Sequence, residues 1–238
     1  MDLNGKRVLV TGGAVRIGRT LAFAFAGKGA SVTVHCNSSK DEAIALLCEL
    51  DKFSSGNEFI SADLTDLYDI RQTIFPRLPE TDILINNASV FHNGMLAEED
   101  LAHAKTQFDI NFWAPYIIMN EYKKQRGNKD SLIINFLDYR IKKPSVTDGT
   151  YLISKYALER LTELSAIQWA PSIRVNAIAP GFVIPPSNMV NSTMEKSLRK
   201  VPMGKAVPFE DIAKACIFIA EAESLTGQTI FLDGGASL

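Results

Sequence analysis

The 238-residue sequence lacks a strong excess of charge of either sign and any long apolar run. Lysine and arginine together number 25 and aspartate and glutamate 27, a formal net charge of −2 at pH 7. Without a basic run, nucleic acid and anionic membrane surfaces are disfavoured as main partners, and small soluble ligands are favoured. No apolar stretch approaches the roughly 20 residues that span a bilayer, and the first residues lack a basic region followed by an apolar one. We therefore expect a cytoplasmic protein.

Cysteine and histidine are also scarce. The cysteines Cys36, Cys48 and Cys216 are widely separated, odd in number and form no CxxC pair. We expect reduced thiols that mostly pack against other side chains. The three histidines show no spacing typical of metal ligands and no order that suggests a Ser-His-Asp arrangement. We therefore expect catalysis without a metal.

Short apolar runs alternate with longer amphipathic segments along the chain. This alternation is typical of a parallel β-sheet covered by helices on both faces. The length suits one such domain, spanning residues 1–238. We predict an α/β fold with a doubly wound, seven-stranded, mainly parallel sheet. The candidate strands are Arg7–Val10, Ser31–Cys36, Glu58–Ala62, Ile83–Asn86, Ser131–Phe136, Arg174–Ile178 and Thr229–Leu232.

Between these strands, apolar residues recur at helical spacing and are interpreted as facing the core. The repeats are Ile17-Leu21-Phe25-Ala26, Ile44-Leu47-Leu50 and Ile212-Cys216-Ile219. Residues 182–205 break this pattern, because they contain prolines, asparagines and a glycine without a strong period. We interpret this segment as a substrate loop that could close over a ligand.

Tyr151 and Lys155 stand four residues apart, so on a helix the phenol and the ammonium share one face. An unperturbed tyrosine has a pKa of about 10, and a nearby positive charge lowers that pKa toward the range of a general acid. Such a pair can protonate an atom that receives hydride. Tyr139 has Lys143 at the same spacing, but it follows a strand directly and lies just before Pro144, where helical geometry is doubtful. Tyr151 is the better candidate.

A glycine-rich turn containing Gly12, Gly13 and Gly18 joins the first strand to the first helix. Such a turn lets backbone N–H groups approach a pyrophosphate at the N-terminus of the helix. Alone this signal is weak, since many α/β proteins turn tightly there without a ligand. The strand before the turn and the helix after it strengthen the interpretation.

The end of the second strand favours NADPH over NADH. An NAD enzyme usually carries an acid there, about 20 residues past the glycines, that binds the ribose. In this sequence no acid follows the strand before Asp41. A carboxylate would repel a 2′-phosphate, whereas basic and polar side chains can donate to it. The candidate donors are Arg16, Asn37, Ser38, Ser39 and Lys40.

Several motifs fall in the order and spacing of the short-chain dehydrogenase/reductase family. They are Thr11-Gly12-Gly13-Ala14-Val15-Arg16-Ile17-Gly18, Asn86-Asn87-Ala88, Asn111, Tyr151 with Lys155, Pro180-Gly181 and Asp233-Gly234-Gly235. The resemblance runs nearly end to end and implies a Rossmann-type oxidoreductase. Thirteen residues before the tyrosine, where the family usually has serine, stands Asp138. That exchange resembles the pteridine reductase branch, which includes bacterial dihydromonapterin reductases.

The resemblance implies catalytic roles for four residues. Tyr151 would donate the proton, Lys155 would lower its pKa and hold the nicotinamide ribose, and Asn111 would hold a water in the proton path. Unlike a serine, Asp138 can exchange a proton and pair with the N–H and amino groups of a pterin. The alternative for Asp138 is a loop aspartate that caps the following turn.

Further residues are expected at the ligands. Arg16 would reach the cofactor phosphates and the pterin, with a solvated surface arginine as the alternative. Phe91 would stack the pterin against the nicotinamide, although an isolated phenylalanine usually lies in a core. Asp63 would meet the adenine, unless it caps the following helix. The other residues expected at the cofactor are Gly12, Ile17, Gly18, Leu64, Asn86, Asn87, Ala88, Ser89, Pro180 and Gly181, and Ser89 is also expected at the substrate.

These observations predict an NADPH-dependent reductase of a reduced pterin of the dihydromonapterin or dihydrobiopterin type, with dihydrofolate as a possible weaker substrate. One alternative is a 3-oxoacyl carrier-protein reductase or another carbonyl reductase, which Asp138 disfavours. A second is a non-catalytic NADPH-binding regulator, for which loss of Tyr151 or Lys155 would be expected. The resemblance also implies a homotetramer.

Overall fold

The computed structural model describes residues 1–183 and 198–238. Seven strands, all paired in parallel, form one sheet in the order β3-β2-β1-β4-β5-β6-β7. The strands are β1 (Arg7–Val10), β2 (Ser31–Cys36), β3 (Glu58–Ser61), β4 (Ile83–Asn86), β5 (Ser131–Phe136), β6 (Ile173–Pro180) and β7 (Thr229–Leu232). The predicted doubly wound α/β fold is confirmed.

Helices connect the strands and cover the sheet. They are α1 (Arg16–Ala26), α2 (Lys40–Leu50), α3 (Leu67–Asp69), α4 (Leu101–Phe108), α5 (Ala114–Arg126), α6 (Gly149–Trp169) and α7 (Phe209–Glu221). A π-helical turn at Ile70–Ile74 and a 3₁₀ segment at Phe75–Glu80 continue α3, and a second π-helical turn at Asp109–Trp113 joins α4 to α5. None of the described helices is long and apolar enough to cross a membrane.

The two faces of the sheet bury two separate cores, because successive side chains of a strand point to opposite faces. Val8 and Val10 of β1 pack in the core that contains Leu21 and Phe25 of α1. Leu9 lies between them in sequence and packs in the other core. Strands β4, β5 and β6 are buried along their whole length, which explains their almost continuous apolar sequence.

The observed boundaries differ from the predicted ones in a few places. Strand β3 ends one residue earlier than predicted, and β6 is longer at both ends because it pairs with β5 on one side and β7 on the other. In α2 the interpretation of Ile44 as core-facing is wrong, since Ile44 is half exposed. The buried stripe of that helix is instead Ala43, Leu46 and Leu50.

The strand order positions the functional site. From β1 the chain runs outward through β2 to β3, and then returns to place β4 on the other side of β1. Ligands of open α/β sheets bind where the order reverses, beyond the carboxyl ends of the strands. In this fold that position lies between the loops that follow β1 and β4.

Candidate active site

A cavity of about 730 Å³ opens at this reversal point. Its walls come from the segments that follow strands β1 to β6 and from helix α6. The predicted site residues that line it are Gly12, Arg16, Ile17, Gly18, Asn37, Leu64, Asn87, Ala88, Ser89, Phe91, Asp138, Tyr151, Lys155, Pro180 and Gly181. A larger polar cleft of about 1040 Å³ lies at the opposite, amino ends of β1 to β3, away from the tyrosine and lysine.

The glycine turn after β1 leaves no room for side chains. Gly12 has a φ of +62°, a left-handed conformation that glycine adopts without strain. A Cβ atom on Gly18 would lie 2.1 Å from the carbonyl oxygen of Gly12. The side-chain amide of Asn87 donates to the carbonyl oxygens of Thr11 and Gly12 at 2.8 and 3.0 Å. The turn therefore holds backbone close to the cavity, as a pyrophosphate site requires.

His35, at the end of β2, supports this turn and was not predicted as a site residue. Its Nδ1 accepts a hydrogen bond from the Gly12 N–H at 3.2 Å, and its Nε2 lies 3.1 Å from the carbonyl oxygen of Ala62. Burial lowers the pKa of His35 to about 4, so the ring is neutral at physiological pH. A neutral ring with Nε2 protonated satisfies both contacts.

Arg16 has a left-handed backbone, with a φ of +50°. That conformation costs a non-glycine residue roughly 1–2 kcal/mol, which explains why glycine suits this position. The side chain is exposed and lines the cavity. The structure thus places the Arg16 side chain both at the cavity and in contact with solvent, so the two interpretations of this residue stay open.

Only some of the other predicted cofactor residues line the cavity. Asn37 and Leu64 line the cavity, but Ser38, Ser39 and Asp63 do not. Asp63 accepts hydrogen bonds from the backbone N–H and the hydroxyl of Thr65, both at 2.8 Å, and so closes a turn. The helix cap is Asp66, which accepts from the N–H of Tyr68 at 2.8 Å.

Asn86 was expected to line the cofactor site, and this is wrong. Its side chain is buried in the sheet and its amide donates to Asn135 Oδ1 at 2.8 Å. Successive residues at a strand end point to opposite sides, so Asn87 reaches the cavity in its place.

Tyr151 projects from the first turns of α6 toward the end of β5. Its phenol donates a hydrogen bond to Asp138 Oδ2 at 2.9 Å. Asp138 Oδ1 also accepts from the backbone N–H of Arg140 at 2.9 Å. The alternative interpretation of Asp138 as a turn cap is therefore observed, and the same carboxylate also contacts the Tyr151 phenol.

Lys155 lies beneath the tyrosine, one turn further along α6. Its Nζ donates to the carbonyl oxygen of Phe136 at 2.9 Å and lies 5.7 Å from the centre of the Tyr151 ring. The side chain is buried, and burial lowers its pKa to about 8. The predicted stacking of phenol and ammonium on one helix face is observed.

We expected Lys155 to bring the pKa of Tyr151 below its usual value, but in this structure that pKa lies above it. Burial raises the pKa of Tyr151, and the charge of Asp138 raises it further. Burial removes water from the phenolate, the adjacent carboxylate repels it, and the ammonium is bonded to a carbonyl group rather than to the phenol. Tyr151 therefore holds its proton, as a proton donor must before the reaction.

Asn111 lies in the π-helical turn between α4 and α5 and is buried. Its Oδ1 accepts from Ser89 Oγ at 3.0 Å and from the Val90 N–H at 2.9 Å. Its amide nitrogen donates to the carbonyl oxygen of Val90 at 2.9 Å and to Ser154 Oγ at 3.3 Å. These four bonds use the whole hydrogen-bonding capacity of the amide. The side chain thus connects the loop after β4 to α6. The predicted water in the proton path would therefore have to bind the main chain of this turn, because the side chain has no hydrogen-bonding group left for it.

Phe91 lies beside Tyr151 and is partly exposed. Its ring contacts that of Tyr151 edge to face, with 4.7 Å between the ring centres. A second cavity of about 620 Å³ adjoins the first, and both are lined by Phe91, Asp138, Gly181 and Val183. Phe91 is therefore placed between the two cavities rather than in a core.

The predicted substrate loop borders this second cavity. Residues 184–197 of the loop lie outside the described part of the chain. The described ends are joined, because Val183 forms a β-bridge with Val207 and the Val207 N–H donates to the carbonyl oxygen of Phe182 at 2.7 Å.

Two further residues that the sequence did not reveal support the catalytic helix. Glu99 accepts hydrogen bonds from the Thr150 N–H at 2.8 Å and from its hydroxyl at 2.6 Å, which satisfies donors at the start of α6. Arg140 contacts Asp138 and Asp148. Glu99 reaches α6 from a loop distant in sequence, and Arg140 reaches Asp148 across an irregular turn, so no short motif marks either residue. Among the described residues, no group of three or more His, Cys, Asp or Glu side chains could hold a metal ion.

Known proteins resemble this chain over almost its whole length. A family model described as Enoyl-(Acyl carrier protein) reductase matches residues 13–237. Pteridine reductase 1 from Leishmania tarentolae is 29% identical, over 97% of this chain and 96% of its own. Glucose 1-dehydrogenase 2 from Bacillus subtilis is 30% identical, over 100% of this chain and 96% of its own.

Among solved structures, the FolM alternative dihydrofolate reductase 1 from Brucella canis, complexed with NADP, is similar to this fold. Its TM-score is 0.90 at 33% sequence identity, and the match covers 100% of this chain and 96% of that one. The chain belongs to the short-chain dehydrogenase/reductase family of oxidoreductases and resembles its pteridine reductase branch.

Proposed function

We propose that the protein is an NADPH-dependent reductase of a reduced pterin. The observation that carries this proposal is the 2.9 Å hydrogen bond between the Tyr151 phenol and the Asp138 carboxylate. A ketone substrate has an oxygen to be protonated and no N–H groups, so a serine beside the tyrosine suffices. A carboxylate at that position can accept hydrogen bonds from the N–H and amino groups of a pterin ring.

The first cavity fits NADPH. At the crowded glycines the main chain itself lies at the cavity wall. No carboxylate follows β2 before Asp41 that would repel a 2′-phosphate. Arg16 and Asn37 line the same wall and can donate to phosphate oxygens. When bound, NADPH supplies the hydride. Lys155, buried below Tyr151, is placed to hold the nicotinamide ribose.

The reaction site fits a flat heterocycle. Phe91 offers an aromatic face beside the tyrosine and is partly exposed, so it can rotate away from Tyr151 and stack on a ring. Hydride addition to a C=N bond leaves a nitrogen that needs a proton, and Tyr151 holds one, with Asp138 next to it. The names of two relatives, a pteridine reductase and an alternative dihydrofolate reductase, support this substrate class. Dihydromonapterin, dihydrobiopterin and dihydrofolate are the candidates.

A carbonyl reductase, such as a 3-oxoacyl carrier-protein reductase, is the second candidate. The description of the matching family model favours it, because it names a reductase of acyl carrier-protein substrates. Asp138 opposes it. A regulator that binds NADPH without turnover is disfavoured because Tyr151 and Lys155 are both present and meet in the site.

Oxidation of NADPH, followed by its absorbance with each substrate class in turn, tests the proposal. We expect turnover with a dihydropterin and little with a 3-oxoacyl thioester. Rapid turnover of the thioester without any turnover of dihydropterins would reject the pterin and leave the carbonyl reductase.

We also propose a homotetramer in the cytoplasm. Exposed apolar side chains lie on the segments that follow Asn111 and Tyr151. Trp113 and Tyr116, whose ring centres are 5.8 Å apart, and Leu164 of α6 are all at least 40% exposed. Such clusters are typical of surfaces that pack against another subunit. Sedimentation equilibrium measures the subunit number, and a monomer at micromolar concentration would contradict the tetramer.

A further inference from the structure

Arg140 contacts two carboxylates beside Tyr151, although no motif includes it. It lies in the 3₁₀ turn Tyr139–Ile141 that follows Asp138. Its Nε and Nη2 donate to Asp138 Oδ1 and Oδ2 at 3.0 and 2.9 Å. This two-point contact fixes the plane of the carboxylate as well as its position. The Tyr151 phenol binds the same Oδ2 atom.

The third guanidinium nitrogen reaches the start of the catalytic helix. Arg140 Nη1 donates to Asp148 Oδ1 at 2.6 Å, and the Asp148 side chain is only 2% exposed. The other oxygen of Asp148 accepts from the Ser145 N–H at 2.7 Å. Asp148 directly precedes α6. Arg140 therefore links the loop that carries Asp138 to the helix that carries Tyr151.

The guanidinium also lies against both aromatic rings of the site. Its central carbon is 4.8 Å from the centre of the Phe91 ring and 5.1 Å from that of Tyr151, within the range of cation–π contact. Burial works against the charge of Arg140, but the hydrogen bonds and charge of Asp138 raise its pKa. The other ionisable groups facing the pair are Tyr139, Asp148, Tyr151 and Lys155.

We propose that Arg140 is a positioning residue that holds Asp138 as a carboxylate aimed at the Tyr151 phenol, so that Asp138 accepts hydrogen bonds from the substrate and Tyr151 delivers the proton. The proposal rests on the proposed pterin reduction and narrows it, because it removes Asp138 as a proton donor. An ionised carboxylate has no proton to give. Both oxygens of Asp138 already accept two hydrogen bonds each, but Oδ2 loses one of them when the Tyr151 phenol turns to the substrate. Oδ2 can then accept a hydrogen bond from an amino or N–H group of the ring.

The proton balance follows from this assignment. NADPH, when bound, would supply the hydride to the carbon of the C=N bond and leave as NADP⁺, and the Tyr151 O–H bond would break as its proton passes to the nitrogen. The Arg140 guanidinium, 5.1 Å from the centre of the Tyr151 ring, offsets the repulsion of the remaining phenolate by Asp138. The phenolate then takes a proton from solvent. Asp138 stays ionised throughout.

The test compares Arg140→Met, Arg140→Lys and Asp138→Asn with the unaltered protein. Arg19→Met is the matched control, because Arg19 pairs with Glu49 at 2.7 Å and lies 5.0 Å from the centre of the Phe23 ring, outside the cavity. For Arg140→Met we expect kcat with a dihydropterin to fall by up to about 10²-fold through misplacement of Asp138. NADPH affinity should stay within about twofold, as for a residue that touches only the reaction half of the site.

The pH profile of kcat/KM is the measurement that a purely structural role of Arg140 would leave unchanged. Loss of the cation beside Asp138 makes its carboxylate easier to protonate, so the acid limb of kcat/KM should move to higher pH in Arg140→Met. Arg140→Lys should move it less, since lysine keeps a charge without the fork. Arg19→Met should leave it in place.

A measurement without turnover separates this proposal from the proposed function. With ¹³C-labelled aspartate, the carboxyl resonance missing from Asp138→Asn identifies Asp138, and it should titrate at higher pH in Arg140→Met than in the unaltered protein. Unchanged titration and an unchanged acid limb would overturn the role of Arg140, even if pterins are reduced. Absence of pterin turnover with the expected titration shift would instead reject the substrate and keep the role. If Arg140→Met does not fold, Arg140→Lys decides by the same two measurements.

Discussion

The two halves of the site are built by different means. The cofactor half, formed by the glycine turn, His35 and Asn87, is held by main-chain groups and neutral side chains. The reaction half, formed by Asp138, Arg140, Tyr151 and Lys155, is held by charged side chains that are largely buried. The first half therefore depends on shape, and the second on charge. Changes in the two halves should fail in different ways.

The largest expected effect is in the reaction half. Tyr151→Phe should lower kcat by roughly 10²–10⁴-fold, because the proton donor is lost while the shape of the site is kept. NADPH affinity, measured by fluorescence titration, should be almost unchanged. Tyr156→Phe, on the same helix but outside the cavity, is the control. Lys155→Ala should reduce both turnover and affinity. Near-normal kcat in Tyr151→Phe would mean that another group donates the proton.

In the cofactor half, His35 should make stability depend on pH. Its pKa is about 4 in the folded protein and about 6.5 when unfolded, so the unfolded state binds more protons between these values. Unfolding free energy should therefore fall as pH drops from about 6.5 to 4, by on the order of 3 kcal/mol from this residue. His35→Gln, which keeps hydrogen-bonding groups without titrating, should lose that part of the dependence. Urea unfolding at several pH values measures it, and equal slopes for both proteins would contradict it.

Phe91 tests the substrate side of the reaction half. Phe91→Ala should weaken binding of a dihydropterin by about 1–3 kcal/mol if its contact resembles the stacking of a base on an aromatic ring. The effect should appear mainly in KM, with NADPH affinity kept. Phe91→Tyr, which keeps an aromatic face, is the control. A loss confined to kcat would show that Phe91 acts on the chemistry instead.

The smallest expected effect is a change of cofactor preference. Asn37→Asp places a carboxylate near the expected 2′-phosphate and should shift the ratio of NADPH to NADH affinity by about tenfold or more toward NADH, since repulsion disfavours one ligand. Asn37→Ser is the neutral control. Tighter binding of NADH than of NADPH by the unaltered protein would contradict the assignment of NADPH as the cofactor.

The same contrast explains what could be predicted from the sequence. The glycine turn and the end of β2 could be interpreted from the sequence, because each interpretation depends only on residues that are neighbours in the chain. The shared helix face of Tyr151 and Lys155 could be predicted because helical spacing is regular. Arg140 and His35 could not, since their roles depend on partners such as Asp148 and Gly12 that folding brings close. The direction of the phenol pKa was also missed, because burial acts there together with the Asp138 charge.

The left-handed backbone of Arg16 has a consequence for attempts to improve the protein by selection. Arg16→Gly would relieve backbone strain of roughly 1–2 kcal/mol, which exceeds the roughly 0.5–1 kcal/mol of stability that glycine loses through its flexible unfolded state. A library screened for thermal resistance alone would have no reason to keep the arginine. Screens that reward stability without turnover would thus select glycine at this position and remove a side chain that lines the cavity, as stability and activity often trade against each other.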